Sequence, residues 1–375
     1  MFLRSVQLRD FRNYAEADLE LTSPKTILVG DNAQGKSNLL EAVQLLATGR
    51  STRALRDREL IAQGKEQARV AAAVERLGDT VELEMILRAG KRRTVRVGGE
   101  TRRTQVEALG YLHCVSFSSL DLDLVRGAPE TRRDWLDGIL LQLEPVYTNL
   151  LAQFVQALHQ RNALLRNPEL SPEALAEQLP FWDDLLVRAA TPVMRRRHRL
   201  IERLAPLARR WHGSISGGRE TFAVRYQPQI SFEQEDAQSV QQALQELLKE
   251  KRTLEGRRGT SLVGPHRDEV DLRIDEIPAR QFGSQGQQRT LVLALKLAEL
   301  ELLEQVTGEA PLLLLDDVLA ELDLHRQDQL LGAIQERVQT IVTTTHLSLF
   351  DSQWLQSATV LTIERGRIAS PPAPS

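Results

Sequence analysis

The chain has 375 residues, 48 Lys+Arg against 51 Asp+Glu, 42% apolar residues and one cysteine. That length suggests two to three domains of ~150 residues, or one large core carrying an insertion, and the composition excludes a collagenous, disordered or disulfide-built protein. Cys114 alone forms no intrachain disulfide and no zinc cluster. The net charge of -3 carries no global nucleic-acid signal, so any such binding must come from local patches. Met1-Phe2-Leu3-Arg4 lacks the apolar core of a signal peptide, and no run approaches the ~20 apolar residues of a membrane span. A reducing, cytoplasmic setting with no membrane partner is the expectation.

Residues 2–8 and 17–21 alternate apolar and polar side chains, as half-buried strands do. Residues 26–29 form a short apolar run ending at Gly30, and from Ser37 the pattern changes, with Leu39, Val43 and Leu46 at helical spacing. Residues 70–74, 81–87 and 93–97 read as further antiparallel strands, with turns at Gly90 and Gly98-Gly99. Residues 132–255 are rich in Leu, Gln, Glu and Arg at helical periodicity, punctuated by Pro168, Pro172, Pro180 and Pro192, with a strand pair near 222–226. Their heptads are not sustained, which predicts a compact arm and not a long rod. After Gly259 strands and turns return. A helix over 287–303, a buried strand over 311–315 ending at Asp316-Asp317 and another over 338–343 follow, and the tail Pro371-Pro372-Ala373-Pro374-Ser375 is expected to fray. The expected fold is an α/β core whose two halves flank a helical insertion.

Three motifs carry chemistry. Gly30-Asp31-Asn32-Ala33-Gln34-Gly35-Lys36-Ser37 matches the phosphate-binding P-loop in full, between the strand and the helix that the motif requires. Its glycines let backbone N–H groups turn around a phosphate chain, Lys36 reaches the β/γ-phosphates and the Ser37 hydroxyl ligates Mg²⁺. A strand ending in two acids is by itself most often a solvated strand end. Beside a P-loop, Asp316 takes the metal and Asp317 orients or deprotonates the attacking water. Ser284-Gln285-Gly286 opens a helix, where a hydroxyl and a helix N-terminus can form an anion site as well as a simple cap.

The order P-loop, Ser284-Gln285-Gly286, acidic strand resembles the ABC-type ATPases, in which the signature of one subunit closes over the γ-phosphate held by the other. Ala320-Glu321-Leu322-Asp323 resembles their D-loop, and Thr344-Thr345-His346 their switch-histidine position. Within that class, Leu8-Arg9-Asp10-Phe11-Arg12-Asn13-Tyr14, Arg56-Asp57-Arg58-Glu59-Leu60-Ile61, Leu124-Val125-Arg126-Gly127-Ala128-Pro129, Arg132-Arg133 and Gly264-Pro265-His266-Arg267-Asp268-Glu269 look like the RecF family of recombination-mediator ATPases. The resemblance implies an SMC-like ATPase head with a short inserted domain: residues 1–115 as the P-loop lobe, 116–260 as the mainly helical arm, and 261–375 as the lobe with signature, acidic strand and switch histidine. It assigns Arg12, Asn13, Asn38, Ser284 and Gly286 to the nucleotide alongside the P-loop, and His346 to catalysis. It also implies an ATP-dependent homodimer that binds duplex DNA at single-strand gaps and junctions, with RecO, RecR and RecA as partners.

Two departures qualify the family pattern. Phe117-Ser118-Ser119-Leu120-Asp121-Leu122 stands where relatives read Phe-x-Pro-Glu-Asp-Leu, at the position of the Mg²⁺-contacting glutamine loop; it loses the Pro and the Glu and keeps Asp121 as its one acid. Asp317 replaces the Glu of most ABC ATPases, as it does in the RecF family. One methylene fewer draws the carboxylate back by roughly 1.5 Å, and a misplacement of ~1 Å can cost about 10²-fold. Slow hydrolysis is therefore expected, with ATP serving mainly to close a dimer, and the resemblance implies that DNA stimulates it. Two basic blocks, Arg88, Lys91, Arg92, Arg93, Arg96, Arg102 and Arg103, and Arg195-Arg196-Arg197-His198-Arg199, read either as solvated faces or as phosphate-backbone contacts. The alternative function is the energising subunit of a membrane ABC transporter; the long segment between P-loop and signature argues against it. A nuclease sharing this head would need a further acidic domain, for which the chain after His346 is too short.

Overall fold

The computed structural model describes residues 1–231, 236–334, 337–350 and 352–369; the tail expected to fray lies outside them. Two compact units make up the chain. Met1–Leu122, Trp211–Arg219 and Gln285–Ser375 form the first, and Asp123–Arg210 and Glu220–Ser284 the second. The division differs from three consecutive blocks because the strand near residue 222 finds its partner late in the chain: Phe222–Gln227 pairs antiparallel with Glu269–Ile274. That pairing takes residues 261–284 out of the second lobe and into the unit that holds the arm.

The first unit is layered. Its parallel sheet has the order Arg367–Ala369, Thr359–Glu364, Lys25–Val29, Thr340–Thr344, Leu312–Asp316, Cys114–Ser118, with only Arg367–Ala369 antiparallel. Leu312–Asp316 is apolar at every position before Asp316 because both of its faces are covered. An antiparallel sheet, in the order Tyr14–Glu20, Phe2–Phe11, Gln67–Arg76, Asp79–Arg88, Thr94–Val97, Glu100–Thr101, forms the opposite layer. The helix Lys36–Thr48 lies between the two sheets, with Leu39, Ala42, Val43 and Leu45 wholly buried in the core they share. Each such leucine or valine contributes roughly 1.5–3 kcal/mol of burial, which fixes the helix, and with it the P-loop, on the carboxyl ends of the parallel strands. Gln285–Thr307, buried along most of its length, packs against Cys114–Ser118 on the other side.

The second unit combines the helices Pro129–Leu143, Tyr147–Leu165 and Ala237–Arg258, the greater part of Pro172–Ser216, and a three-stranded sheet. Prolines were expected to punctuate this region. Instead Pro180, Pro192 and Pro206 all lie inside one helix of 45 residues, which at 1.5 Å per residue runs about 68 Å. An interior proline costs a helix ~3 kcal/mol. Burial of Leu186, Val187, Val193, Met194, Leu200, Ile201 and Leu204 outweighs that cost, so tertiary packing overrides the local breaker. Gly264-Pro265-His266-Arg267-Asp268-Glu269 belongs to this unit, with Gly264, Pro265 and Asp268 buried. Arg132 forks onto both Glu269 oxygens at 2.7 and 2.8 Å, Arg133 donates to the Asp268 carbonyl at 2.8 Å, and Arg197 donates to the Pro265 carbonyl at 2.7 Å.

Candidate nucleotide site

The loop between strand Lys25–Val29 and helix Lys36–Thr48 is braced from three directions. The Asn13 amide donates to the Gln34 carbonyl at 2.9 Å, the Tyr14 hydroxyl donates to the Gly35 carbonyl at 3.0 Å, and the Gly366 N–H donates to the Gln34 carbonyl at 2.9 Å. Gly35 has φ +120°, and a Cβ there would lie 2.7 Å from the Asn13 amide nitrogen, so this position needs glycine on both counts. Asp31, Asn32 and Ala33 form the exposed arch of the loop. The Lys36 ammonium donates to the carbonyls of Gly30 at 2.7 Å and Asp31 at 3.0 Å, which holds it across the loop. Asn38 donates to Asn13 Oδ1 at 2.9 Å.

Ser37 and Asp316, far apart in sequence, meet here: the Ser37 hydroxyl donates to Asp316 Oδ1 at 2.7 Å. Thr343 on the adjoining strand donates to the same oxygen at 2.8 Å and accepts the Asp317 N–H at 2.9 Å. Asp317 has φ +53°; this left-handed turn starts the 3-10 turn Val318–Glu321. Burial pushes the Asp317 carboxyl above its ordinary range; Lys36 opposes this and Asp316 adds to it. A cleft of about 300 Å³, lined by Ser37, Glu41, Arg53, Ser118, Asp316 and Asp317 among others, opens beside the pair. A hydroxyl and one carboxylate, both hard oxygens beside open space, fit Mg²⁺, which keeps several waters and otherwise leans on nucleotide phosphates.

Other anticipated residues stand apart from this cluster. Arg12 forks onto Glu41 at 2.9 and 2.8 Å and donates to the Glu59 carbonyl at 2.8 Å, so its guanidinium is committed to the P-loop helix. Asp121 accepts the Ser118 N–H at 2.7 Å and pairs with Lys296 of the Gln285–Thr307 helix at 3.2 Å. Burial alone would pull Lys296 down, but Asp121 and Glu299 hold its ammonium well above the usual value. Asp121 thus ties two elements together, and Ser118 and Ser119 line the cleft in its place. His346 is exposed just beyond strand Thr340–Thr344, its backbone N–H bonded to Thr344 Oγ1 at 3.2 Å. Ser284, also exposed, immediately precedes helix Gln285–Thr307, and Gly286 lies in its first turn. Sequence reading missed Thr343 and Arg326 as organisers; only their tertiary partners reveal them.

The basic blocks part ways. Arg197 is buried and forks onto Asp137 at 2.8 Å twice, and Arg196 pairs with Glu144 at 2.7 Å, so neither of these two is available to phosphates. In the first block Arg93 forks onto Asp57 at 2.9 and 2.6 Å, and Arg96 pairs with Glu84. Lys91, Arg92, Arg93, Arg102 and Arg103 line one open cleft of about 260 Å³, in which Asp57 holds Arg93 and Glu100 pairs with Arg102 at 3.3 Å.

The model of the RecF/RecN/SMC N terminal domain matches residues 2–367. The chain is 96% identical over 375 residues to the DNA replication and repair protein RecF of Gloeobacter violaceus, covering 100% of both. Its identity to the protein of that name from a Synechococcus strain is 60% over 375 residues, covering 100% of this chain and 99% of the other. Among solved structures, the recombination mediator protein RecF-ATP in the RecFOR pathway superposes with a TM-score of 0.90 at 30% identity, covering 99% of this chain and 98% of that one. An Smc head domain from Pyrococcus furiosus, at 17% identity and a TM-score of 0.53, shares the fold.

Proposed function

The chain belongs to the RecF family, and from that membership we propose that it is a DNA replication and repair ATPase in which bound ATP closes two copies of the chain on DNA. The observation that carries the ATP part is the 2.7 Å bond between Ser37 and Asp316, which joins the P-loop and the acidic strand at one point. Family membership removes the transporter-subunit reading.

In this reading the P-loop N–H groups, the N-terminal end of helix Lys36–Thr48 and the Lys36 ammonium take the β/γ-phosphates. Ser37 and Asp316 hold Mg²⁺, which when bound neutralises phosphate charge. Asp317, made more basic by burial, orients the water and takes its proton, while His346 stands at the end of the neighbouring strand. Asn13, held by Asn38, braces the loop, Arg12 braces the helix behind it, and Ser284 and Gly286 of a second copy complete the site. The slow rate follows from the short Asp317 side chain. Binding of duplex DNA at single-strand junctions, action with RecO and RecR upstream of RecA, and a cytoplasmic location belong to the same proposal. The relatives' names and the cleft of Lys91, Arg92, Arg102 and Arg103 support it.

Light scattering without nucleotide, with ADP and with ATP, each with and without duplex DNA, tests it. A doubling of mass with ATP alone, strengthened by DNA, is the expected result; a mass indifferent to nucleotide would remove the switch.

A further inference from the structure

Arg326 occupies a position that no motif announces. It lies in the first turn of helix Leu324–Ile334, directly after the D-loop-like Ala320-Glu321-Leu322-Asp323. Its guanidinium points back to the start of another helix, where Nη2 donates to the Gly286 carbonyl at 2.9 Å and Nε donates to Thr290 Oγ1 at 2.8 Å. Nη1 pairs with Asp323, and Asp323 Oδ1 also accepts the Arg326 backbone N–H at 2.9 Å. A Cβ at Gly286 would come to 3.3 Å from Nη2, so the absence of a side chain there makes room for the fork. Gln327, buried next to it, donates to the carbonyls of Leu319 at 2.6 Å and Leu322 at 3.1 Å, which fixes the loop that Arg326 holds.

We propose that Arg326 is a positioning residue that locks the Gly286 end of helix Gln285–Thr307 to the Asp323 loop, so that both reach a second copy's nucleotide as one rigid edge. The inference rests on the ATP-closed dimer of the proposed function. A planar fork with separate N–H groups for a carbonyl, a hydroxyl and a carboxylate sets distance and angle together; a lysine ammonium acts as a point charge and cannot. The backbone hydrogen bond to Asp323 draws that carboxyl below its usual range, with the guanidinium charge lowering it further, so the lock stays charged at neutral pH. The Arg326 guanidinium is taken up by Gly286, Thr290 and Asp323, away from Lys36 and Ser37, so nucleotide capture is expected to be independent of it.

The test measures ATP affinity with a fluorescent analogue, ATP-driven dimer mass and kcat in Arg326→Ala, Arg326→Lys and Thr290→Val. ATP affinity is expected to stay within about twofold of wild type, while closure weakens and kcat falls roughly 10²-fold in Arg326→Ala, the scale of an ~1 Å misplacement. Arg326→Lys recovers part of the loss through Asp323, and Thr290→Val loses severalfold without emptying the helix start. Because the two groups act as one lock, Thr290→Val adds little on top of Arg326→Ala. Wild-type closure and kcat in Arg326→Ala, or fully additive effects of the two substitutions, would overturn the inference. Should Arg326→Ala fail to fold, Thr290→Val with unchanged kcat would overturn it alone. If the wild type itself does not close with ATP, the proposed function fails first, and the two failures are thereby told apart.

Discussion

Removing Arg12 separates a bracing role from nucleotide contact. Glu41 sits on the P-loop helix with its side chain 1% exposed, and Arg12 covers both carboxylate oxygens at 2.9 and 2.8 Å. In Arg12→Ala the carboxylate keeps the Ser51 hydroxyl, at 2.5 Å, and loses its countercharge. Breaking a buried pair by deleting one partner costs about 3–5 kcal/mol. At 2–4 °C per kcal/mol for a unit of 150–250 residues, the nucleotide-free melting point should fall by roughly 6–20 °C. Adding Glu41→Gln to Arg12→Ala removes the stranded charge and should return a large part of that loss, whereas Glu41→Gln alone leaves Arg12 exposed to solvent on one side and costs less. Thermal denaturation without nucleotide, run beside ATP titrations, is the assay. An unchanged melting point with a large loss of ATP affinity would refute the bracing argument and make Arg12 a nucleotide ligand instead.

Asp317→Asn should retain ATP affinity, because Ser37 and Asp316 are untouched, while single-turnover hydrolysis drops by at least 10²-fold and the ATP-closed dimer persists; near-normal turnover would move water positioning to another residue. Arg92→Glu with Arg103→Glu should weaken duplex binding and flatten the salt dependence by about 0.9 in log-log slope for each phosphate no longer neutralised, with ATP binding intact. Reversal at Arg93 should instead destabilise the fold by stranding Asp57. Burial pulls His266 down to about 4. The unfolded state then takes up a proton that the folded state refuses, so the stability is present above pH 6.5 and lost as pH falls toward 4. At pH 5.5 the loss is about 1.4 kcal/mol; His266→Gln should shrink the melting difference between pH 7.5 and 5.5, and an unaltered difference would contradict it. Asp268, pushed up to about 6 by burial, titrates in the opposite sense and is common to both chains compared.

The parts of the site made by contiguous residues were legible in the sequence. Strand, glycine loop and helix follow one another from Lys25 to Thr48, and the four leucines before Asp316 mark a strand buried on both faces. What distant residues do to one another was not legible. Arg12 could be read as a nucleotide ligand because nothing local shows Glu41 beneath it. Asp121 looked like a remnant of a metal-contacting loop because the sequence does not show Lys296 against it. Pro180 and Pro192 read as helix breaks because local cost is visible in sequence and the burial that offsets it is not. The run at Arg195–Arg199 read as a possible surface block, yet Arg197 is charge-paired in the interior.

The central claim, that each ATP lies between Lys36 of one copy and Ser284 of another, is tested most directly by mixing two inactive variants. Lys36→Met removes the phosphate contact, and Ser284→Arg places a bulky side chain at the helix start that should meet the γ-phosphate. Each homodimer carries a lesion in both of its sites. A mixed dimer carries both lesions in one site and leaves the other wild-type, so ATP binding and part of the DNA-stimulated hydrolysis should return on mixing. A fluorescence pair on the two variants reports whether mixed dimers assemble. Mixed dimers that assemble with wild-type affinity and yet bind ATP at neither site would contradict the shared site.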